Sequence, residues 1–186
     1  MNTFEKTLSE ERVYDGKILR IRRDTVELPN KNEATREVIE HNGGVCVLPL
    51  TDGDEVIMVK QFRYPFGGEL LEIPAGKLEV GEDPLVCGKR ELLEETGCTA
   101  DSYEYLGKLY PTPAYCTEVI HMYLARGIHE ANGDSLTYKG NFLDSDEFLN
   151  VVKLPFDKVI DMIFRNEISD AKTQISMLKT KILLNN

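Results

Sequence analysis

Glu91, Glu94 and Glu95 follow directly behind Arg90, within the segment GKLEVGEDPLVCGKRELLEETGC that runs from Gly76 to Cys98. On a helix, residues three and four apart share a face, so these carboxylates crowd one turn. Like charges at that spacing repel and weaken a helix by a few tenths of a kcal/mol per pair. A divalent cation held between them turns the repulsion into binding. Carboxylate oxygens with room for water are what magnesium or manganese takes. The segment therefore reads as a metal platform for an anionic substrate. The competing reading is a plain solvated acidic face, the usual fate of acidic residues on a helix. The full spacing of the segment weighs against it.

The elements that must hold this platform are marked. Asp83 is a natural N-cap, Pro84 suits the first helical position, and Gly97 stands where a left-handed stop is expected. Leu85, Leu92, Leu93 and Thr96 form the face turned to the core, and the glutamates face solvent. Upstream, Glu69-Leu70-Leu71-Glu72-Ile73-Pro74 reads as a short strand, and Ala75-Gly76-Lys77 opens a loop. The unit is strand, loop, helix, loop.

Gly76, five residues, Glu82, seven residues, Arg90-Glu91, Leu92, one residue, Glu94-Glu95, one residue, Gly97 and an apolar Cys98 match every fixed position of the Nudix hydrolase signature. The resemblance implies a pyrophosphatase that cleaves a nucleoside diphosphate linked to another group, using Mg²⁺ or Mn²⁺. Glu91 and Glu95 match its principal metal ligands, Glu94 a supporting ligand, and Ala75 the position whose backbone carbonyl joins the metal shell. Arg90 matches the arginine that orients the glutamates, and Glu82 the residue that fixes the loop. Gly76 lets the loop turn tightly onto the helix. The implied fold is the α/β/α Nudix sandwich.

Length and composition fit one enzyme domain with a helper segment: 186 residues, 41% of them hydrophobic. The net charge of −10, from 32 acidic against 22 basic residues, argues against nucleic acid as a partner. An acidic enzyme still holds a diphosphate when metal ions screen it. Cys46, Cys87, Cys98 and Cys116 form no CxxC pair and lie in apolar surroundings, so they are expected as buried, reduced thiols. MNTFEKTLSEERVYDG lacks the apolar core of a signal peptide, and no apolar run is long enough to span a membrane. A cytoplasmic protein is expected.

Two domains are read. Residues 1–42 are N-terminal antiparallel strands. Within them Lys17–Arg22 and Asp24–Leu28 alternate as two strands, Pro29-Asn30-Lys31-Asn32 turns, and Thr35–His41 is a third. Residues 43–186 are the hydrolase domain. There Val45–Leu50 and Glu55–Phe62 read as a hairpin of buried strands across Thr51-Asp52-Gly53-Asp54. Strands follow at Ser102–Leu109, Thr117–Ala125 and Phe148–Lys153, and helices from Pro155 and Ser169. The fold class is α/β (α+β) with a small N-terminal antiparallel sheet. That sheet cannot bury an apolar face alone.

Beyond the signature, the chain resembles the ADP-ribose pyrophosphatase branch. The likeness rests on Gln61-Phe62-Arg63-Tyr64-Pro65, the loop Tyr110-Pro111-Thr112-Pro113-Ala114-Tyr115, Thr35-Arg36-Glu37-Val38, and Ile168-Ser169-Asp170-Ala171-Lys172-Thr173. It implies hydrolysis of ADP-ribose to AMP and ribose 5-phosphate in a homodimer that exchanges N-terminal strands. Arg36 matches a substrate-contacting arginine. Arg63, at a strand end, has a guanidinium suited to phosphate or ribose. The acidic loop Leu143–Phe148 is the best source of a general base; in the resembling branch a glutamate of this loop closes over the substrate, and Glu147 aligns best with it, with Asp144 and Asp146 as rivals. The alternatives are a nucleoside-diphosphate sugar such as GDP-mannose or ADP-glucose as substrate, or a non-catalytic ADP-ribose sensor. His121 and His129 lack the spacing of a metal site or triad and read as structural.

Overall fold

The computed structural model describes residues 2–130 and 148–185, which fall into two compact units. The first comprises Met1–Gly43 and Tyr110–Val119. Its antiparallel sheet has the order β1 (Lys6–Asp15), β2 (Arg20–Glu27), β3 (Glu33–Glu40). The segment 110–119 is stitched to β3 by Ile39 N–H to Tyr115 O (2.7 Å) and Thr117 N–H to Ile39 O (3.0 Å).

The sequence divides this sheet wrongly in two places. The expected strands Lys17–Arg22 and Asp24–Leu28 are one continuous β2, in which Asp24 and Val26 are buried on the same side. β1 starts at Lys6, ahead of any apolar alternation, and is exposed along its whole length. It is a strand because β2 offers it a ladder from Lys6↔Glu27 to Asp15↔Arg20, not because its side chains need burial.

The second unit comprises Gly44–Leu109 and Ile120–Asn186. It contains β4 (Gly44–Pro49), β5 (Glu55–Arg63), β6 (Gly68–Glu72), β7 (Ala75–Lys77), α1 (Pro84–Thr96), β8 (Cys98–Leu109), β9 (Ile120–Glu130), β10 (Leu149–Pro155), α2 (Phe156–Phe164) and α3 (Ala171–Leu184). One sheet has the order β7-β4-β9-β8 and another β10-β5-β6.

β4 and β5 are therefore not the expected hairpin. They lie in different sheets, and the turn between them closes on the isolated bridge Leu50↔Val56. Both edges of β4 are already taken, by antiparallel β7 and by parallel β9, while β5 pairs with β10 and β6. Ala75–Lys77, expected to open a loop, is the short strand β7.

The central strands are buried on both faces, and their alternation sorts the core. Cys46 and Leu48 of β4 and Val56 and Met58 of β5 pack with Phe156, Val159, Ile160 and Ile163 of α2 and Met177 of α3. Val47 and Ile57 cluster instead with Leu92 of α1 and Cys98. Helices on both faces of the strands make the expected α/β/α arrangement. No helix among the described residues is long and apolar enough to cross a membrane.

Candidate active site

α1 begins and ends where its sequence dictates. Asp83 Oδ1 accepts the N–H groups of Leu85 (2.9 Å) and Val86 (3.1 Å). Gly97 stops the helix at φ 69°, a left-handed conformation cheap for glycine, with its N–H on Leu93 O at 2.8 Å. Leu92 and Thr96 are buried as expected, but Leu85 and Leu93 are only partly so. Gly88 takes their place. A Cβ there would stand 3.1 Å from both Val45 Cγ2 and Val47 Cγ2, so α1 lies close on β4.

That close packing draws the carboxylates under β7. Glu95 is 6% exposed rather than solvent-facing, and its Oε2 accepts the Ala75 N–H at 3.0 Å. Gly76 lies directly against Glu91: a Cβ on it would come within 1.8 Å of Glu91 Oε1. The close approach, not a left-handed backbone, is what requires glycine here.

Arg90 ties the acids together. Its Nη1 donates to Glu91 Oε1 and to Glu94 Oε2, each at 2.9 Å, and its Nε and Nη2 donate to Glu82, both at 3.3 Å. Burial works against this cation, but the bond to Glu82, the charge of Glu91 and the bond to Glu94 outweigh it and raise the pKa of Arg90. Glu82 is held below the usual carboxylate range by the Glu79 N–H (2.9 Å) and by Arg90. Cys87 sits under the same guanidinium, its Sγ 3.2 Å from Arg90 Nη2. Burial pushes its thiol up to about 12, so it stays protonated and donates to Lys77 O at 3.4 Å.

The donors Glu91, Glu94 and Glu95, with the Ala75 backbone beside them, form a hard oxygen set. A magnesium- or manganese-sized cation fits that set chemically. Glu91 reaches that set only because residue 76 has no Cβ, whose place its carboxylate takes. As the side chains stand, no three His, Cys, Asp or Glu groups among the described residues converge on one ion-sized point. Arg90 occupies the position between Glu91 and Glu94.

The two arginines expected to touch substrate are both engaged with carboxylates. In the first unit, Arg36 Nε and Nη2 donate to Glu5 at 2.9 and 2.6 Å. In the second, Arg63 Nε and Nη2 donate to the two oxygens of Glu72 at 2.7 and 2.8 Å. His121 Nδ1 lies 3.2 Å from Tyr105 Oη, and His129 pairs with Asp101 at 2.7 Å. Glu147, Asp144 and Asp146 lie outside the described residues.

Asp170, Lys172 and Thr173 entered the sequence reading only within a segment quoted for likeness, and Glu72 only as part of a strand, yet together they form a largely buried network at the end of β6. Burial pushes the Glu72 pKa up, but Arg63 and Lys172 overcome it and hold the carboxyl low. The available signal was a glutamate set inside an apolar run, Leu70-Leu71-Glu72-Ile73. A charge there is expected to be paired.

The NUDIX domain family model matches residues 40–174, and the model described as nucleoside diphosphate sugar hydrolase N-terminal domain matches residues 5–39. A methanol dehydrogenase activator of Bacillus methanolicus is 38% identical over 93% of this chain and 90% of its own. An ADP-ribose pyrophosphatase of Bacillus subtilis is 39% identical over 91% of this chain and 88% of its own. A crystal structure of an ADP compounds hydrolase superposes with a TM-score of 0.82, covering 97% of this chain and 94% of that one at 20% identity. At that identity the structure speaks for the fold.

Proposed function

We propose that this chain, which belongs to the NUDIX domain family, hydrolyses the pyrophosphate bond of ADP-ribose to give AMP and ribose 5-phosphate. The observation that carries the reading is the carboxylate cluster on α1, pressed against Gly76 and Ala75. Such a cluster serves a substrate whose diphosphate needs a cation. The choice of ADP-ribose is supported by likeness to the Bacillus subtilis ADP-ribose pyrophosphatase over nearly the whole chain.

Glu91, Glu95, Glu94 and the Ala75 carbonyl would hold Mg²⁺ or Mn²⁺. When bound, the cation neutralises the diphosphate and makes the attacking water more acidic. Arg90 keeps Glu91 and Glu94 in place by its shared Nη1. Glu82 fixes Arg90 from behind, and Gly97 ends the helix so that Cys98 can enter β8. Arg63 takes the substrate's phosphate or ribose, and Glu147 accepts the proton of the attacking water.

Residues 1–42 build a homodimer and 43–186 the hydrolase domain. The exposed Leu8, Val13, Tyr14, Ile18 and Leu19 support an assembly surface in the N-terminal part. Arg36 reaches the partner's substrate. The net charge of −10 supports a small-molecule substrate and neither nucleic acid nor a membrane surface. Cys46, Cys87, Cys98 and Cys116 carry thiols, which supports a reducing compartment, the cytoplasm.

The second reading is a nucleoside-diphosphate-sugar pyrophosphatase, favoured by the family match of residues 5–39. A substrate panel with Mg²⁺ separates the two: ADP-ribose, ADP-glucose, GDP-mannose, NADH, diadenosine polyphosphates and 8-oxo-dGTP. The highest kcat/KM is expected for ADP-ribose, and a higher value for a nucleotide sugar transfers the assignment to it. Binding of ADP-ribose without turnover of any compound makes the chain a sensor.

A further inference from the structure

Glu72 ends β6 with a side chain only 2% exposed, and a carboxylate so deep keeps its charge only if cations hold it. Two do. Arg63, whose side chain is 38% exposed, grips both oxygens. Lys172, 11% exposed, donates to Glu72 Oε2 from the first turn of α3 and to Asp170 Oδ1 at 2.8 Å. Asp170 caps α3 by accepting the Thr173 N–H at 2.9 Å, and Thr173 Oγ1 accepts the Ile73 N–H at 3.0 Å. Two acids and two bases balance, and α3 holds both residues that lead into Pro74 and Ala75.

The two cations are not equivalent. The Lys172 ammonium is enclosed between Glu72 and Asp170. Arg63 is the accessible one, and the Glu72 it holds leads through Ile73 and Pro74 into Ala75, whose N–H Glu95 Oε2 accepts at 3.0 Å. Its two-pronged grip on Glu72 uses Nε and Nη2, not Nη1. A two-pronged hold on a phosphate through that same Nε–Nη2 edge requires Arg63 to release Glu72, and an abandoned buried carboxylate is strongly unfavourable.

We propose that Lys172 is a positioning residue that keeps Glu72 paired while Arg63 turns to the substrate's diphosphate. Lys172 does not touch the substrate; it makes Arg63 available. This rests on the diphosphate-hydrolase reading above.

Two measurements test it. In kinetics with ADP-ribose and Mg²⁺, Lys172→Met leaves Arg63 as the sole cation on Glu72, so KM should rise on the order of tenfold while kcat changes far less. Glu72→Gln/Lys172→Met removes the buried charge as well, frees Arg63, and should return KM to within about threefold of wild type. Lys172→Arg should keep the wild-type KM. A purely structural latch makes the double variant worse than the single. A double variant no better than Lys172→Met, or a Lys172→Met enzyme that loses kcat at unchanged KM, overturns the proposal.

Thermal unfolding asks the same question without substrate. Arg63→Met and Lys172→Met each leave Glu72 one cation, whereas Arg63→Met/Lys172→Met leaves none. The Tm of the double variant should fall beyond the sum of the singles by about 6 °C or more. Additive losses overturn the proposal. Should the wild-type enzyme fail to hydrolyse ADP-ribose, the functional reading falls, and the unfolding comparison still decides the role of Lys172.

Discussion

Gly76→Ala separates the geometry of the metal platform from the stability of the fold. Gly76 is not among the positive-φ glycines, so its backbone admits alanine. The obstacle is steric. The new Cβ would lie 1.8 Å from Glu91 Oε1, 1.9 Å from its Cδ and 2.4 Å from Oε2. Ordinary contact begins near 3.4 Å, so the carboxylate must retreat by about 1.6 Å, the difference between 3.4 and 1.8. The retreating atoms are the end of a flexible side chain, so the fold gives little.

The bond lost is Arg90 Nη1 to Glu91. A hydrogen bond to a charged group contributes about 1.5–3 kcal/mol. Arg90 is 34% exposed and keeps Glu82 and Glu94, so about 1 kcal/mol is the fitting figure. For a chain of this size that lowers Tm by about 2–4 °C. Turnover should suffer far more, since a misplacement of about 1 Å at a reacting centre costs about 10²-fold. The expected loss in kcat is thus at least about 10²-fold, or about 2.7 kcal/mol of barrier, with a weakened metal midpoint. Steady-state kinetics across a Mg²⁺ titration, alongside thermal unfolding, measures both. A Gly76→Ala enzyme with wild-type kcat and metal midpoint refutes the placement of Glu91 at the metal. A Tm loss beyond about 10 °C shows that the glycine serves the backbone instead.

Glu95→Gln keeps an acceptor for the Ala75 N–H, so it should fold normally and lose roughly two to four decades in kcat. Near wild-type turnover at saturating Mg²⁺ rules Glu95 out as a principal ligand. The exposed apolar residues of β1 and the following turn predict a two-fold dimer at micromolar concentration in sedimentation velocity, and a compact, fully active monomer there defeats the shared-site reading. Glu147→Gln should depress kcat by about two to four decades with KM nearly unchanged, while Asp144→Asn and Asp146→Asn cost much less. If either aspartate variant is the crippled one, the base has been misassigned.

Helix α1 was legible because everything that defines it is local. Asp83, Pro84 and Gly97 set its ends through bonds within four residues. The spacing from Arg90 to Glu95 fixes which acids share its face. The hairpin reading of β4 and β5 failed for the opposite reason. Their short turn at Thr51–Asp54 is real, with Asp54 N–H on Thr51 O at 3.1 Å. A turn joins two strands in sequence, but the partners of β4 are decided by β9, more than seventy positions downstream. Fully buried strands carry no alternation that would reveal which neighbour each face or edge will meet.

β7 shows how the same limit reaches the chemistry. Three residues, Ala75-Gly76-Lys77, are too few to show a period, and a glycine in their middle argues for a loop. They become a strand because β4 presents Val45 and Cys46 as a ladder. Once paired, they must pass over α1, since Gly88 lets that helix close on Val45 and Val47 of the same strand. Two consequences follow that spacing on a helical wheel cannot supply. Glu95 goes inside, fixed by the Ala75 N–H, and Glu91 fills the space where a Cβ of residue 76 would be. The two glycines thus act on one contact from opposite sides: Gly88 brings the helix to the sheet, and Gly76 makes room for the carboxylate that arrives with it. Enlarging Gly88 should accordingly also impair turnover, through a displaced helix and with a larger loss of stability than Gly76→Ala, because there the obstructing atoms are core side chains with nowhere to retreat.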